Sequence, residues 1–449
     1  MTLQQRIFQG MTAFSLDTIV STVASVLSAV LVFRYLDPTS YGRLALFLSF
    51  YAAGGIFLDL GMGGVFIAEI ARARGAGDKS RVKFLLSHYL LLLLTTGTLL
   101  LIIFVAIGLR QGQPLWGMIG AYLWLTAPNS AAYALFHGTT RYRRLAAQSI
   151  TRSLTRLALL ATLPWWWRGE PLLGVGLTYP LMELVTLLIS LRLAQIVWPE
   201  LRRAPTTAYS RKELLAIFQR QGLYAALSIP IKRIIDQLPI WFLKALADDV
   251  ALGSYAVAQR VLLLIFSFFR SMETTIFPLV SEQAEADKAR LQGVLRQMQR
   301  YSFWTGLLIA IFGGIVAPWI IHLIAGPTYL MAVPPLRVML WLLVLYAFSQ
   351  SQRPLFYALR EQRWLFAIYL LHAIIYSALL GIGVPLGGAM GAVLVRLLTT
   401  SLAVSARLFV LSRVASWIWI SPWSVFAIEA FDRKLWERFK QRAKRAIAR

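Results

Sequence analysis

The chain has no cysteine among its 449 residues, which excludes disulfides, thiol nucleophiles and cysteine-ligated metals together. Histidine is nearly as scarce. His88, His137, His322 and His372 are scattered over different segments, without carboxylates at ligand spacing, so satisfied or interfacial imidazoles are the expected reading and no metal is. No Walker A loop occurs, because GAGDKS at 75–80 lacks the spacing that cradles phosphates, so ATP hydrolysis is not expected. Charge is scarce too: 14% of residues are charged against 58% hydrophobic, with a mean hydropathy of +0.64. That leaves too little polar surface to coat a water-soluble globule.

What is present in quantity is apolar sequence in runs of membrane-spanning length, about 20 residues each, separated by short polar breaks. The alternating ten-residue segments of a membrane β-barrel are missing. The sequence predicts an all-α polytopic membrane protein with about twelve helices, near 11–33, 43–69, 84–109, 114–136, 148–167, 171–197, 214–246, 251–280, 300–325, 329–356, 364–384 and 386–413. The first span lacks a basic n-region, a short apolar run and a small-residue cleavage site, and is expected to be retained. Nothing remains for a soluble catalytic domain, and no enzymatic activity is expected.

A net charge of +25 invites a nucleic-acid reading, but the positions of the basic residues argue otherwise. One set of loops holds Arg72, Arg74, Lys79, Arg81 and Lys83, then Arg141, Arg143 and Arg144, then Arg202, Arg203, Arg211 and Lys212, then Lys288, Arg290, Arg296 and Arg300, then Arg360 and Arg363. The alternate loops hold Arg34, Arg43, Arg110, Arg168 and Lys244. This bias is that of a multi-pass protein of the cytoplasmic membrane with both termini in the cytoplasm, and no nucleic-acid partner is expected. The tail from 414 to 449 begins with a capping Ser421 and Pro422 and spaces Ile428, Phe431, Leu435 and Phe439 along one face. It is expected to lie on anionic headgroups of the inner leaflet, above all as a topology anchor.

A shift of 220 positions pairs Pro114 with Pro334, Leu123 with Leu343, Leu125 with Leu345, Ala127 with Ala347, Leu135 with Leu355, Phe136 with Phe356, Arg143 with Arg363 and Leu145 with Leu365. The repeat predicts two parallel six-helix lobes related by a pseudo-twofold along the membrane normal. The expected division is 1–197 for the first lobe, 198–213 for a basic linker, 214–413 for the second lobe and 414–449 for the tail. A cavity should lie between the lobes.

Into that cavity the intramembrane charges should point. Each costs roughly 2.5–3.5 kcal/mol at the bilayer centre on insertion scales, so a group of three cannot face lipid. In SIPIKRIIDQLPIW at 228–241, Lys232, Arg233 and Asp236 share with Gln221 and Ser228 about 140° of helical arc. Asp236 can pair with one cation only. Arg260 forms a stripe with Ser267, Ser271 and Thr274; Arg270 lies deeper; Arg152 and Arg156 share a face, where like charges repel. The acids within the spans are Asp17, Asp59, Glu69, Glu183, Asp236 and Glu273, fewer than the cations. An excess of inward cations calls for a mobile anion, and arginine suits phosphate oxygens. Arg192, Arg353, Arg407 and Arg413 are expected to snorkel to headgroups instead.

FRYLDPTSYGRLALFLSF at 33–50 and FLDLGMGG at 57–64 resemble the opening of the polysaccharide flippases. So do RIIDQLPIWFLKALADDVALGSYAVAQRVL at 233–262, FPLVSE at 277–282, LIAGPTYLMAVPPLRVML at 323–340 and GVPLGGAMGAVLVRLL at 383–398. The resemblance covers nearly the whole chain, within the superfamily of multidrug, oligosaccharidyl-lipid and polysaccharide exporters. It implies a flippase carrying an undecaprenyl-pyrophosphate-linked oligosaccharide, such as an O-antigen unit, from the inner to the outer leaflet by alternating access. Glycan-assembly enzymes are the implied protein partners. Arg152, Arg156, Lys232, Arg233, Arg260 and Arg270 would then be headgroup contacts. Asp17, Asp59 and Asp236 would serve ion pairs or a coupling ion, proton or sodium, with no other cofactor. Trp241, Tyr255 and Tyr224 are candidates to stack on sugars, with packing the commoner role of such residues. Flippases of this kind often rely on arginines in the first helix, whereas the first span here carries Asp17 and no basic residue before Arg34.

Three alternatives differ in the residues they need. A multidrug antiporter of the same superfamily should have an acidic, aromatic cavity. A membrane glycosyltransferase or polymerase would need a sizeable outer loop, and the Asp248–Asp249 pair sits in a short one, where capping a helix is the expected role. A non-transporting scaffold would have no use for inward charges.

Overall fold

The computed structural model describes residues 3–195, 223–266, 288–350, 352–359, 361–414 and Phe426. Among them every regular element is helical. The first lobe consists of α1 (Leu3–Tyr35), α2 (Pro38–Asp59), α3 (Gly63–Gly75), α4 (Lys79–Gln111), α5 (Pro114–Gly138), α6 (Tyr142–Ala161), the short α7 (Leu163–Trp166) and α8 (Pro171–Gln195). The second consists of α9 (Leu223–Leu246), α10 (Asp249–Phe266), α11 (Lys288–Ile324), the 3-10 turn Pro327–Ala332, α12 (Val333–Met339), α13 (Leu342–Ser349), α14 (Gln352–Ala358) and α15 (Gln362–Val414). Among the described residues eight helices are long and apolar enough to cross a membrane. The basic linker at 198–213, Arg270 with Ser267, Ser271, Glu273 and Thr274, and the tail beyond 414 apart from Phe426 lie outside the described residues.

Local chemistry sets the breaks. The turn between α1 and α2 is two residues long because Asp37 caps α2, accepting the amides of Thr39 (3.2 Å) and Ser40 (3.3 Å), with Pro38 in the first helical turn. Hydrogen bonding from Ser40 holds the Asp37 carboxyl below its ordinary range. Asp78 and Asp248 cap α4 and α10 through the amides of Arg81 (2.9 Å) and Ala251 (2.6 Å). The second predicted span, continuous from 43 to 69, is two helices. Leu60 and Gly61 adopt positive φ of 50° and 73°, and this left-handed turn stops α2 before α3 restarts. The predicted span at 329–356 is likewise segmented, into the 3-10 turn and three short helices. α15 contains two spans folded against each other at Gly387 and Gly388, the latter with φ of 50°.

The 220-residue repeat is visible in burial. Leu123 and Leu343, Ala127 and Ala347, and Phe136 and Phe356 are all wholly buried, and Leu135 with Leu355 and Leu145 with Leu365 nearly so. α5 and the α12–α14 segment therefore present equivalent faces to equivalent cores.

The two lobes are clamped at the end of the bundle that carries Asp37. Here α2 crosses α10 so closely that a Cβ on Gly253 would lie 2.0 Å from the Pro38 carbonyl oxygen, and one on Gly42 2.6 Å from that of Asp249. Around this backbone contact, Arg43 pairs with Asp249 at 3.2 Å, and Lys244 holds the same carboxylate at 2.6 Å. The buried Tyr329 hydroxyl donates to the Leu36 carbonyl at 2.7 Å, its ring lying against Phe33 and Tyr41. Trp241 donates to Ser49 at 2.8 Å and stacks on Phe50.

Gly253→Val is expected to force the lobes apart at this end, since the obstructing atoms belong to backbone and cannot rotate away. Spin labels on cysteines introduced at Ser40 and Val250 of this cysteine-free chain would report a longer and broader distance distribution than in the parent. An unchanged distribution would show that the glycine contact does not set the closure.

Candidate functional site

The α2–α3 break places Asp59 at the lobe interface. Its carboxylate accepts the amides of Gly61 (2.9 Å) and Gly63 (3.3 Å), folding the break around itself. A Cβ at Gly63 would reach 2.7 Å from that carboxylate and 3.1 Å from the Tyr89 hydroxyl, so a side chain there would crowd both. Arg233 of the second lobe shares with Asp59, Ile56, Gly61, Gly64 and Pro230 a small cavity of about 70 Å³, within electrostatic reach of the Asp59 carboxylate. Arg233 thus faces Asp59 across the interface, and Asp236 turns to other partners.

Beside the break the first lobe holds a cavity of about 320 Å³. Its walls carry Asp59, Tyr89, Thr126, Asn129, Ser130, Tyr133, Gln148, Ser149 and Arg152. Behind it, Arg152 Nη2 reaches both oxygens of Glu183 at 2.7 and 2.8 Å, and Asn129 donates to the same carboxylate at 2.6 Å. Ser190 and Gln148 complete the network: Ser190 donates to Asn129 Oδ1 at 3.1 Å, and Gln148 to Ser190 at 3.0 Å. Glu183 is entirely buried, while the Arg152 side chain remains 41% exposed toward the cavity. Close, multiply hydrogen-bonded contact is what allows a buried pair to exist at all.

Arg156, one helical turn beyond Arg152, points elsewhere. It donates to the Tyr179 hydroxyl at 2.7 Å, with its guanidinium over that ring. Arg260 of the second lobe lies within electrostatic reach of Arg156, Tyr41 and Tyr179. Among the described residues Arg260 has no hydrogen bond or ion pair. Guanidinium groups from opposite lobes, Arg156 and Arg260, are therefore within electrostatic reach of each other among tyrosines, with no carboxylate acting on Arg260 among the described residues.

In the second lobe Asp236 lies between two cations, Lys232 at 3.9 Å and Arg396 at 3.7 Å. Arg396 is anchored separately by a 2.9 Å hydrogen bond to the Tyr255 hydroxyl.

Several expectations are corrected by this geometry. Trp241 is committed to the lobe clamp, and Tyr255 is fully buried beneath Arg396, so neither ring is open to a sugar; the Tyr224 side chain lies outside the description. Arg407 does not snorkel: it is buried, bonding the Ala403 carbonyl, with Tyr369 against it. Asp17 stands fourteen positions into α1, at the start of its apolar stretch, and accepts a hydrogen bond from Ser21 at 2.8 Å. Arg152 and Arg156 avoid mutual repulsion by separate partners. Arg396 was not among the predicted site residues, and Glu183 only among the available acids. A polar position on an otherwise apolar span, Arg396 in AVLVRLL and Glu183 in PLMELV, is the signal that could have found both.

The network makes an asymmetric prediction. Arg152→Leu strands a fully buried carboxylate and is expected to cost about 3–5 kcal/mol. Glu183→Leu should cost less, because Arg152 can turn into the cavity, and Arg152→Leu/Glu183→Leu should recover most of the loss. Thermal unfolding of the purified variants checks this; equal single costs that simply add in the double variant would refute the pairing.

The sequence matches the family described as Polysaccharide biosynthesis protein over residues 7–283, and the family MatE over residues 211–385. No curated protein is matched significantly. Among solved structures the fold is similar to a multidrug resistance MATE family transporter of the MOP superfamily in its inward-facing conformation. That likeness has TM-score 0.74 and 18% identity, covering 91% of this chain and 98% of that one. An outward-facing conformation of such a transporter gives 0.62 at 18% identity over 89% and 96%. A MOP superfamily transporter from Pyrococcus furiosus gives 0.65 at 17% identity over 92% and 96%. With the first match spanning well over half of its length, the chain belongs to the polysaccharide biosynthesis protein family, and its two-lobe helical fold is similar to that of MATE transporters.

Proposed function

We propose that this protein is a flippase that carries a lipid-linked oligosaccharide, of the undecaprenyl-pyrophosphate type, between membrane leaflets by alternating access of its two lobes. The observation that carries the reading is that Arg156 and Arg260, from opposite lobes, lie within electrostatic reach of each other with no carboxylate acting on Arg260 among the described residues. Like charges held together in a low-dielectric site are stable only when an anion or water screens them, and guanidinium forks match phosphate oxygens. The 320 Å³ cavity of the first lobe, lined by Arg152 one helical turn from Arg156, carries hydroxyls and amides on its walls, groups that suit sugar hydroxyls. Its volume is of the order of a small sugar unit within the usual range of ligand pockets.

The expected charge bias puts the Asp37 end outside, so the clamp described above would be the closed outer gate and the cavity would load from the cytoplasm. The higher likeness to an inward-facing relative supports this assignment. Asp59 facing Arg233 offers a coupling proton or sodium ion a carboxylate at the interface. The Pyrococcus furiosus transporter is described as having a binding pocket of reversed polarity that suggests a different function, which agrees with departures from drug export within this fold. Drug antiport remains the second reading because MATE transporters share the architecture. It would require an acidic cavity, and here Glu183 is neutralised by Arg152 while Asp59, the other acid on the cavity wall, faces Arg233 across the interface.

Movement of a fluorescent undecaprenyl-pyrophosphate oligosaccharide across proteoliposome membranes tests the proposal. The parent protein should move it, and Arg156→Ala and Arg260→Ala should each slow it by about ten-fold or more at matched protein levels. Export of a cationic dye by the parent with no movement of the lipid would establish the antiporter instead.

A further inference from the structure

The structure holds two ion pairs of opposite character. Glu183 is sealed against Arg152 and Asn129 by contacts of 2.6–2.8 Å and has no exposure. Asp236 is 43% exposed, and its contacts to Lys232 and Arg396, 3.9 and 3.7 Å, are beyond hydrogen-bonding distance. Lys232 is itself half exposed, and it precedes Asp236 on the helix, the weaker order for an i,i+4 pair. The bond from Gln259 reaches the main-chain carbonyl of Asp236, at 3.5 Å, and leaves the carboxylate alone. Arg396, by contrast, is 15% exposed and fixed by the buried Tyr255. The cation is thus held in place whether or not the carboxylate stays, and the carboxylate is held by charge alone.

We infer that Asp236 is an exchangeable counter-ion: it neutralises a second phosphate subsite, formed by Lys232 and Arg396, until a phosphate oxygen of the cargo displaces it. This rests on the headgroup reading above. Asp236 would set the strength of that subsite from below. A carboxylate competing for the same cations weakens anion binding and speeds release, which a carrier needs as much as capture.

The test is equilibrium binding of farnesyl pyrophosphate, and separately of inorganic pyrophosphate, to the purified full chain, with thermal unfolding to confirm that each variant folds. Asp236→Asn removes the competitor and should tighten farnesyl pyrophosphate binding about ten-fold while slowing lipid movement in proteoliposomes. Lys232→Gln in that background should abolish the gain, and Arg260→Ala should weaken binding in every background. A purely structural Asp236 would give no tightening. A gain for both probes supports a subsite reading phosphate itself, and a gain for the prenyl probe alone supports one reading the lipid headgroup. Should Asp236→Asn fail to fold, Asp236→Ser carries the same expectation. Unchanged or weaker binding in the Asp236 variant, with Arg260→Ala still damaging, overturns the counter-ion role and leaves the flippase reading intact. No pyrophosphate binding by the parent, or binding indifferent to Arg260→Ala, overturns both.

Discussion

In hydrocarbon a charge must find a partner, water or a cargo, and this requirement organises the molecule. The chain carries far more cations than acids into its spans, so partners are rationed. Arg152 takes the one fully buried acid of its lobe. Arg156 settles for a phenol and an aromatic face. Arg260 has neither among the described residues. The order of these three, from satisfied to unsatisfied, runs from the interior of one lobe to the seam between lobes, where a mobile anion has access.

The repeat shows how the same frame takes different chemistry. Under the 220-residue shift Leu123, Ala127, Leu135 and Phe136 of α5 fall on Leu343, Ala347, Leu355 and Phe356, alike in identity and in burial. Yet Arg152 falls on His372 and Glu183 on Ala403, so the ion pair of the first lobe has no counterpart in the second. The second lobe draws its charges from α9 and from the far half of α15 instead, Lys232, Asp236 and Arg396. Packing has kept the symmetry because any core of this shape needs those volumes. The polar residues are free to diverge because each pair has only to satisfy itself.

The same division explains what could be read beforehand. Apolar length and the internal match were enough to read an all-helical membrane fold of two lobes. The helices α5, α6 and α9 fall outside those that pass as membrane spans on apolarity, and they are the ones lined with Asn129, Gln148, Arg152, Lys232, Arg233 and Asp236. Pairing was not legible. Arg152 finds Glu183 thirty-one positions away, and Asp236 finds Arg396 on a helix near the far end of the chain, separations at which helical spacing carries no information. The break after Asp59 was hidden because glycine is common in membrane helices, and only the left-handed backbone at Leu60 and Gly61 distinguishes a stop from a tolerated residue. Trp241 and Tyr255 offered rings of the right chemistry, and neighbouring side chains had already claimed them.

The crossing of Gly42 over Gly253 closes one end of the protein with main chain against main chain. A seam of that kind has no rotamer that can swing aside, so it cannot leak by the flicker of one side chain and parts only when whole helices move. Glycine, moreover, has no atoms left to lose. Mutation at either position can only add bulk, and drift at this point runs in a single direction, toward a looser seal.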